Sequence, residues 1–362
     1  DTMRPKEYIE KVRSREIYDP VLTFQLSNDF HVRRVIRNYL PNDEESKHCA
    51  TLLQWDNIYY QPPTQSIVEK RPTVRIGMVQ WQMRPYNSID DLFEQVEFFV
   101  DSVSDYKSDF ILFPEYFNAP LMARFNDMGE AQSIRAMAQY TEKIRDRFVE
   151  LAISYNINII TGSMPFVKED GALYNVGFLC RRDGSYEMYE KIHVTPDEQK
   201  CWGLTGGSHV QTFDTDCGKI GILICYDVEF PELSRLMADD GMQILFVPFM
   251  TDTQNAYSRV RVCAQARAIE NECYVAIAGS VGNLPRVHNM DIQYAQSAVF
   301  TPCDFAFPND GKRSEATPNT EMILVSDVDL NLLNELHTYG SVRNLRDRRN
   351  DLYELRMKPA AK

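Results

Sequence analysis

The chain is expected to fold as an α/β protein, its sheets covered by helices, with a small α+β segment ahead of the main domain. Three observations carry this expectation. From Thr73 onward, short apolar strand signals alternate with longer amphipathic ones. Several of those apolar runs end abruptly on a charged or nucleophilic residue. A proline-punctuated stretch, Gln61 to Arg71 with Pro62, Pro63 and Pro72, separates the first sixty residues from the rest. The chain therefore divides into an N-terminal segment (1–60), a linker (61–72), the main domain (73–355) and a tail (356–362).

The N-terminal segment opens with a helical pattern, Pro5 to Arg15. Pro20 to Leu26 and His31 to Arg37 read as a hairpin around Ser27-Asn28-Asp29, and Ala50 to Trp55 as a third strand. In the main domain Val74 to Gln80 reads as a strand, and Ile89 to Val103 as a helix with Leu92, Val96, Phe99 and Val103 on one face. A strand over Phe110 to Phe113, a long helix from Ile134 to Tyr155, and strands at Ile157 to Thr161 and Tyr174 to Cys180 follow. A turn at Arg182-Asp183-Gly184 leads into Tyr186 to Tyr189. Strand Ile220 to Ile224 precedes a helix over 231–238, strand Ile244 to Pro248, helix Tyr257 to Asn271 and strand Tyr274 to Ala278.

Three of these elements end on residues that carry chemistry. The run Lys219 to Ile224 stops at Cys225, and Pro231 suits the first turn of the helix beyond. A thiolate placed near a helix N-terminus is stabilised by its partial positive charge. Phe110 to Pro114 ends at Glu115, where partial desolvation raises a carboxyl towards a useful proton carrier. Tyr189-Glu190-Lys191-Ile192-His193 offers an ammonium able to hold an oxyanion. The plainer readings are a small buried thiol, a loop-capping glutamate and a lysine on a solvated face. His193, two residues past Lys191, would share its face if the strand continued; its plainer role is a hydrogen-bonded structural histidine.

Taken together, Glu115 in Phe-Pro-Glu, Lys191 in Glu-Lys-Ile-His and Cys225 in Cys-Tyr-Asp-Val-Glu-Phe-Pro-Glu resemble the Glu-Lys-Cys triad of the nitrilase superfamily of carbon-nitrogen hydrolases. The likeness runs from about Thr73 to near Tyr353. It includes Arg267-Ala268-Ile269-Glu270-Asn271, the Ser297 to Pro302 segment, Gly340-Ser341-Val342-Arg343 and Asp347-Arg348-Arg349. The resemblance implies a four-layer α-β-β-α sandwich (nitrilase-like) that pairs with further copies as a homodimer or higher homo-oligomer. It also implies a second glutamate shortly after the lysine, at Glu198, with Asp197 the adjacent candidate.

The same resemblance implies covalent chemistry at a small-molecule amide or carbamoyl carbon, with water as the second reactant. Glu115 takes the Cys225 proton, the sulfur attacks, and Lys191 with the backbone N–H of Tyr226 holds the oxyanion. Cys-Tyr-Asp is similar to the amidase and carbamoylase branches, whereas nitrile-acting members usually carry Cys-Trp-Glu. Tyr116, Phe117, Asn118 and Tyr226 are the expected substrate contacts, core packing being the alternative.

Composition narrows the classes. A net charge of −13 disfavours a nucleic-acid or anionic-membrane surface. No apolar stretch approaches a membrane span, and residues 1–30 lack a signal-peptide pattern, so a cytoplasmic location is expected. The 8 cysteines form no C-x-x-C pair and are expected to be free thiols. The 6 histidines form no metal-binding group, no cofactor is implied, and no G-x-S-x-G elbow supports a serine hydrolase. Residues 1–60 resemble the C-terminal end of a GNAT-type N-acetyltransferase domain without its Gly-rich coenzyme A loop; a packed extension is the plainer reading. A catalytically idle nitrilase-fold binding or regulatory module of an acetyltransferase fusion is the alternative to an active hydrolase.

Overall fold

A computed structural model describes residues 3–28, 30–37, 39, 43–55, 73–285, 287 and 290–358. The chain separates into two compact units, Asp1–Glu69 and Lys70–Lys362. The linker expected over 61–72 lies outside the described residues, as do Asp29 and 359–362.

In the first unit, helices Pro5–Arg13 and Pro20–Ser27 precede two antiparallel strands, Phe30–Ile36 and Ala50–Trp55, paired from Phe30↔Trp55 to Ile36↔Ala50. The expected strand at Pro20 to Leu26 is therefore a helix. Asp19 explains the correction, since its carboxylate accepts the N–H groups of Val21 (2.9 Å) and Leu22 (2.8 Å), while Pro20 needs no donor partner at the first position. Ala50–Trp55 takes the place of the misread strand beside Phe30–Ile36. Ile9, Val12 and Leu22 form this unit's small core.

Among the described residues, the second unit is built on a curled mixed sheet of 14 strands. Thr73–Met83 pairs in parallel with Phe110–Leu112, which pairs in parallel with Asn158–Ile160; Leu173–Cys180 and Met164–Val167 follow in antiparallel order. The other half runs Thr212–Thr215, Gly218–Ile222, Ile244–Phe249 and Tyr274–Asn283, with its last three strands parallel. The halves meet where Trp81 to Met83 pairs with Ser280 to Gly282.

Strand parity decides what each residue packs against. Val74, Ile76, Met78, Phe110 and Leu112 belong to one core with Ile220, Ile222 and Phe246, and the Phe110 and Phe246 rings lie 5.2 Å apart. Val79, Trp81, Ile111 and Phe113 belong to a second core with Leu92, Val96 and Phe99 of helix Ile89–Asp105 and Ile144 and Phe148 of helix Thr141–Ser154. Helices Pro231–Asp239 and Gln254–Glu270 cover the other half through Leu233, Met237, Tyr257, Val260 and Ala264. The result is the helix-sheet-sheet-helix layering that the resemblance implies.

Two departures from the sequence reading concern helices and strands near these layers. The helix expected over Ile134 to Tyr155 is two, Glu130–Met137 and Thr141–Ser154, separated by a 3₁₀ turn at Ala138–Tyr140. Thr141 anchors the break by donating its hydroxyl to the Pro165 carbonyl at 2.6 Å. Met322–Asp329, unrecognised in the sequence, runs antiparallel along Thr73–Met83 from Met322↔Gln80 to Asp329↔Thr73. No helix among the described residues is long and apolar enough to cross a membrane.

Candidate active site

Parallel strands leave their functional loops at their carboxyl ends, and three of the site's segments come from such ends. Glu115 follows Phe110–Leu112 through Pro114 and bridges to Ser163; Cys225 follows Gly218–Ile222; Met250 follows Ile244–Phe249. Lys191 comes from a different geometry. It directly follows the antiparallel strand Tyr186–Glu190, and its N–H donates to the Asn175 carbonyl at 2.9 Å.

These segments converge. Lys191 Nζ donates to Glu115 Oε1 at 2.8 Å and to both oxygens of Glu198, at 2.7 and 2.8 Å. Glu115 Oε1 also accepts Asn175 Nδ2 at 2.9 Å, and Oε2 accepts the Met250 N–H at 3.0 Å. The Cys225 thiol lies 3.6 Å from the carbonyl oxygen of Met250, whose N–H Glu115 accepts, and it shares one cavity with the Glu115 carboxylate. Glu115 and Lys191 are each 2% exposed, so nearly all their charge is compensated by protein groups rather than water.

Of the two candidates for the second glutamate, Glu198 is the one at the lysine, while Asp197 is exposed. Thr195 and Glu198 form a reciprocal cap: Glu198 Oε2 accepts the Thr195 N–H (2.8 Å) and Thr195 Oγ1 accepts the Glu198 N–H (3.2 Å). The Thr-x-x-Glu spacing was a usable sequence signal for this arrangement. Tyr116 adds a third hold by donating its hydroxyl to Glu198 Oε1 at 3.2 Å.

Burial dominates the protonation of the site. It pushes the Glu115 carboxyl above its usual range, partly opposed by the Lys191 ammonium, and raised further by Glu198. Burial and the Glu115 charge hold the Cys225 thiol well above its ordinary value. The two carboxylates outweigh desolvation at Lys191 and keep it an ammonium. The raised thiol runs against the expectation of a helix-stabilised thiolate. Cys225 opens a single 3₁₀ turn, Cys225–Glu229, and the α-helix starts at Pro231, where the sequence reading has it.

That turn is held from two sides. Asp227, fully buried, accepts the N–H groups of Ile192 (2.9 Å) and His193 (2.7 Å) and the His193 ring Nδ1 (2.9 Å). Arg267, from the quoted Arg-Ala-Ile-Glu-Asn segment, donates to the carbonyls of Val228 (2.9 Å) and Glu229 (3.1 Å). Such anchoring is needed because Cys225 and Tyr116 both adopt φ of 48°, a left-handed conformation that costs a non-glycine residue about 1–3 kcal/mol. His193 stacks on Phe230 with centroids 3.6 Å apart, a structural role; the strand ends before Lys191, so alternation does not carry it into the site.

A cavity of about 640 Å³ opens over Cys225, with Glu115, Lys191, Glu198, Tyr116, Tyr226 and Trp202 on its wall. Phe117 is not there. It packs against Trp81, Phe113 and Phe148 in the helix-side core, because the left-handed turn at Tyr116 directs its neighbour inward. Asn118 is fully buried and likewise absent from the cavity wall. Asn175, Met250, Asp227 and Trp202 were not singled out from the sequence; each depends on a contact distant along the chain.

This fold, with a cysteine, a lysine and two glutamates at one cavity floor, defines an α/β protein of the nitrilase class. The carbon-nitrogen hydrolase family model matches residues 75–338, and the chain belongs to that family. It is 47% identical over 359 residues to the "Probable hydrolase YhcX" of Bacillus subtilis, a match covering 99% of this chain and 70% of that protein. It is 28% identical to the human "Omega-amidase NIT2" over 78% of this chain and 98% of the relative. Among solved structures, a carbon-nitrogen hydrolase from Helicobacter pylori superposes with a TM-score of 0.67 at 21% identity, covering 78% of this chain and 98% of the other.

Proposed function

We propose that this protein hydrolyses a linear amide or carbamoyl C–N bond through a cysteine thioester. The reading rests on one observation, the convergence of Cys225, Glu115 and Lys191 on one cavity, with Glu198 against the lysine. Kinship with an omega-amidase favours an amide over a nitrile.

The steps are those the resemblance implies, and the placement of these side chains supports them. Glu115 removes the thiol proton as the sulfur bonds to the carbonyl carbon, whose π electrons move to oxygen. The Lys191 ammonium and the Tyr226 N–H hold that oxyanion. When the C–N bond breaks, Glu115 returns the proton to the departing amine or ammonia, leaving a thioester. Water then attacks the thioester carbon, giving a proton to Glu115, and the C–S bond breaks as the proton passes back to sulfur. Glu198 holds Lys191 in place and positions substrate or water. Tyr116 and Tyr226 are the substrate-contacting aromatics carried forward from the expected set.

An ammonia-release screen over amides, carbamoyl amines and nitriles, with Cys225→Ala as the blank, tests this. Release from an amide or carbamoyl compound that vanishes in the blank is expected; release confined to nitriles would overturn the amide assignment. Absence of turnover with every compound, together with no labelling of Cys225 by an electrophilic amide analogue, would favour the idle binding module. Two further readings rest on the sequence resemblance. One is a homo-oligomer, which light scattering on the eluted protein tests; the other is an N-terminal unit that is the end of an acetyltransferase domain.

A further inference from the structure

The two oxygens of Glu115 are not equivalent. Oε1 accepts two fixed donors, Lys191 Nζ at 2.8 Å and Asn175 Nδ2 at 2.9 Å, which occupy both of its in-plane lone pairs. Oε2 accepts one, the Met250 N–H at 3.0 Å, and keeps a lone pair. The carbonyl of that same Met250 is the 3.6 Å neighbour of Cys225 Sγ, so the residue whose N–H holds Oε2 is also the one beside the thiol.

We infer that Oε2 is the proton-carrying oxygen of Glu115, and that Asn175 is the positioning residue that reserves it by saturating Oε1. The inference rests on the hydrolase reading above and names how its base is aimed. Asn175 suits the task because it is fully buried on strand Leu173–Cys180 and serves both partners. Its side chain holds Glu115 while its backbone carbonyl holds the Lys191 N–H at 2.9 Å. A neutral donor adds orientation without a second positive charge, so the proton affinity of Oε2 is tempered less than a cation there would temper it. Without Asn175, Oε1 regains an open lone pair, and the carboxylate can rotate or take the proton on the wrong oxygen. The other titratable groups facing Glu115 are Lys191, Glu198, Cys225 and Tyr116.

The test needs no substrate. Alkylation of Cys225 by iodoacetamide is followed against pH by mass spectrometry of its peptide, in wild type, Asn175→Ala, Asn175→Asp and Glu115→Gln, with thermal unfolding alongside. Loss of a hydrogen bond to the carboxylate disfavours its charged form, so the ascending limb should move to higher pH in Asn175→Ala. It should move further in Asn175→Asp, where a like charge replaces the donor. Alkylation near neutral pH should slow about tenfold or more, the worth of one bond to a charged group. Folded variants whose limb stays where wild type has it would overturn the inference. So would failure of both variants to fold, since Asn175 would then be a core residue only. If Glu115→Gln also leaves the limb unmoved, the base assignment itself falls; if Glu115→Gln moves it and Asn175 variants do not, only the role of Asn175 falls.

Discussion

The Asp227 carboxylate accepts the His193 N–H at 2.7 Å and the His193 ring Nδ1 at 2.9 Å, joining the segment after Lys191 to the turn that starts at Cys225. The ammonium and the thiol are thereby fixed relative to each other by a residue that touches neither reacting atom.

Asp227→Ala should accordingly lose both stability and rate. It takes a fully buried carboxylate away from three part-buried donors, at a cost of about 1–3 kcal/mol. Urea unfolding measures the first effect and single-turnover thioester formation the second. A variant as stable as wild type would show that these bonds are replaced on relaxation.

Lys191→Met removes an oxyanion donor and should lower turnover at least a hundredfold. It also leaves Glu115 and Glu198 buried without their cation, which should destabilise the fold by about 3–5 kcal/mol at neutral pH. Acid should narrow that gap as Glu115 takes up its proton. Unfolding curves at two pH values check this, and a gap that widens in acid would contradict the burial argument.

Glu115 is an acid whose folded-state affinity for its proton lies above the usual carboxylate value. Between the unfolded value, about 4.3, and the raised folded one, the folded chain keeps a proton that the unfolded chain has lost. Its stabilising contribution is thus full below that window and lost as pH rises through it. Activity runs the other way, because the base form appears only on the upper side. The Tm of wild type relative to Glu115→Gln should fall with pH over the interval in which the wild-type rate climbs. Parallel rises in both quantities would refute this assignment.

Phe117→Ala tests the corrected placement of that residue. Emptying a site ringed by Trp81, Phe113 and Phe148 should cost about 3–5 kcal/mol. Any surviving folded enzyme should keep its KM for a small amide. A KM change larger than the kcat change would return Phe117 to the cavity.

Local order was legible where one short segment sufficed. The helix Ile89–Asp105 showed its Leu92, Val96, Phe99 and Val103 stripe, and the structure adds a Ser88 cap, whose Oγ accepts the Asp91 N–H at 3.2 Å. Helix Pro20–Ser27 was misread because Leu22, Phe24 and Leu26 alternate with Thr23 and Gln25, a period-two pattern that imitates a strand, and the Asp19 cap was the deciding signal. Met322–Asp329 was missed because its identity lies in its pairing with Thr73–Met83.

The primary structure by itself determined the alternation of strands and helices, the family, and the candidates Glu115, Lys191 and Cys225, because each ends a short strand signal and that pattern is local. Tertiary structure decided the rest. It selected Glu198 over Asp197, sent Phe117 into the core, made burial rather than a helix end the control on Cys225, and recruited Asn175, Met250 and Asp227. The physical reason is that desolvation and hydrogen bonding act over a few ångströms, and residues 60 to 135 positions apart reach that range only once the sheet has curled.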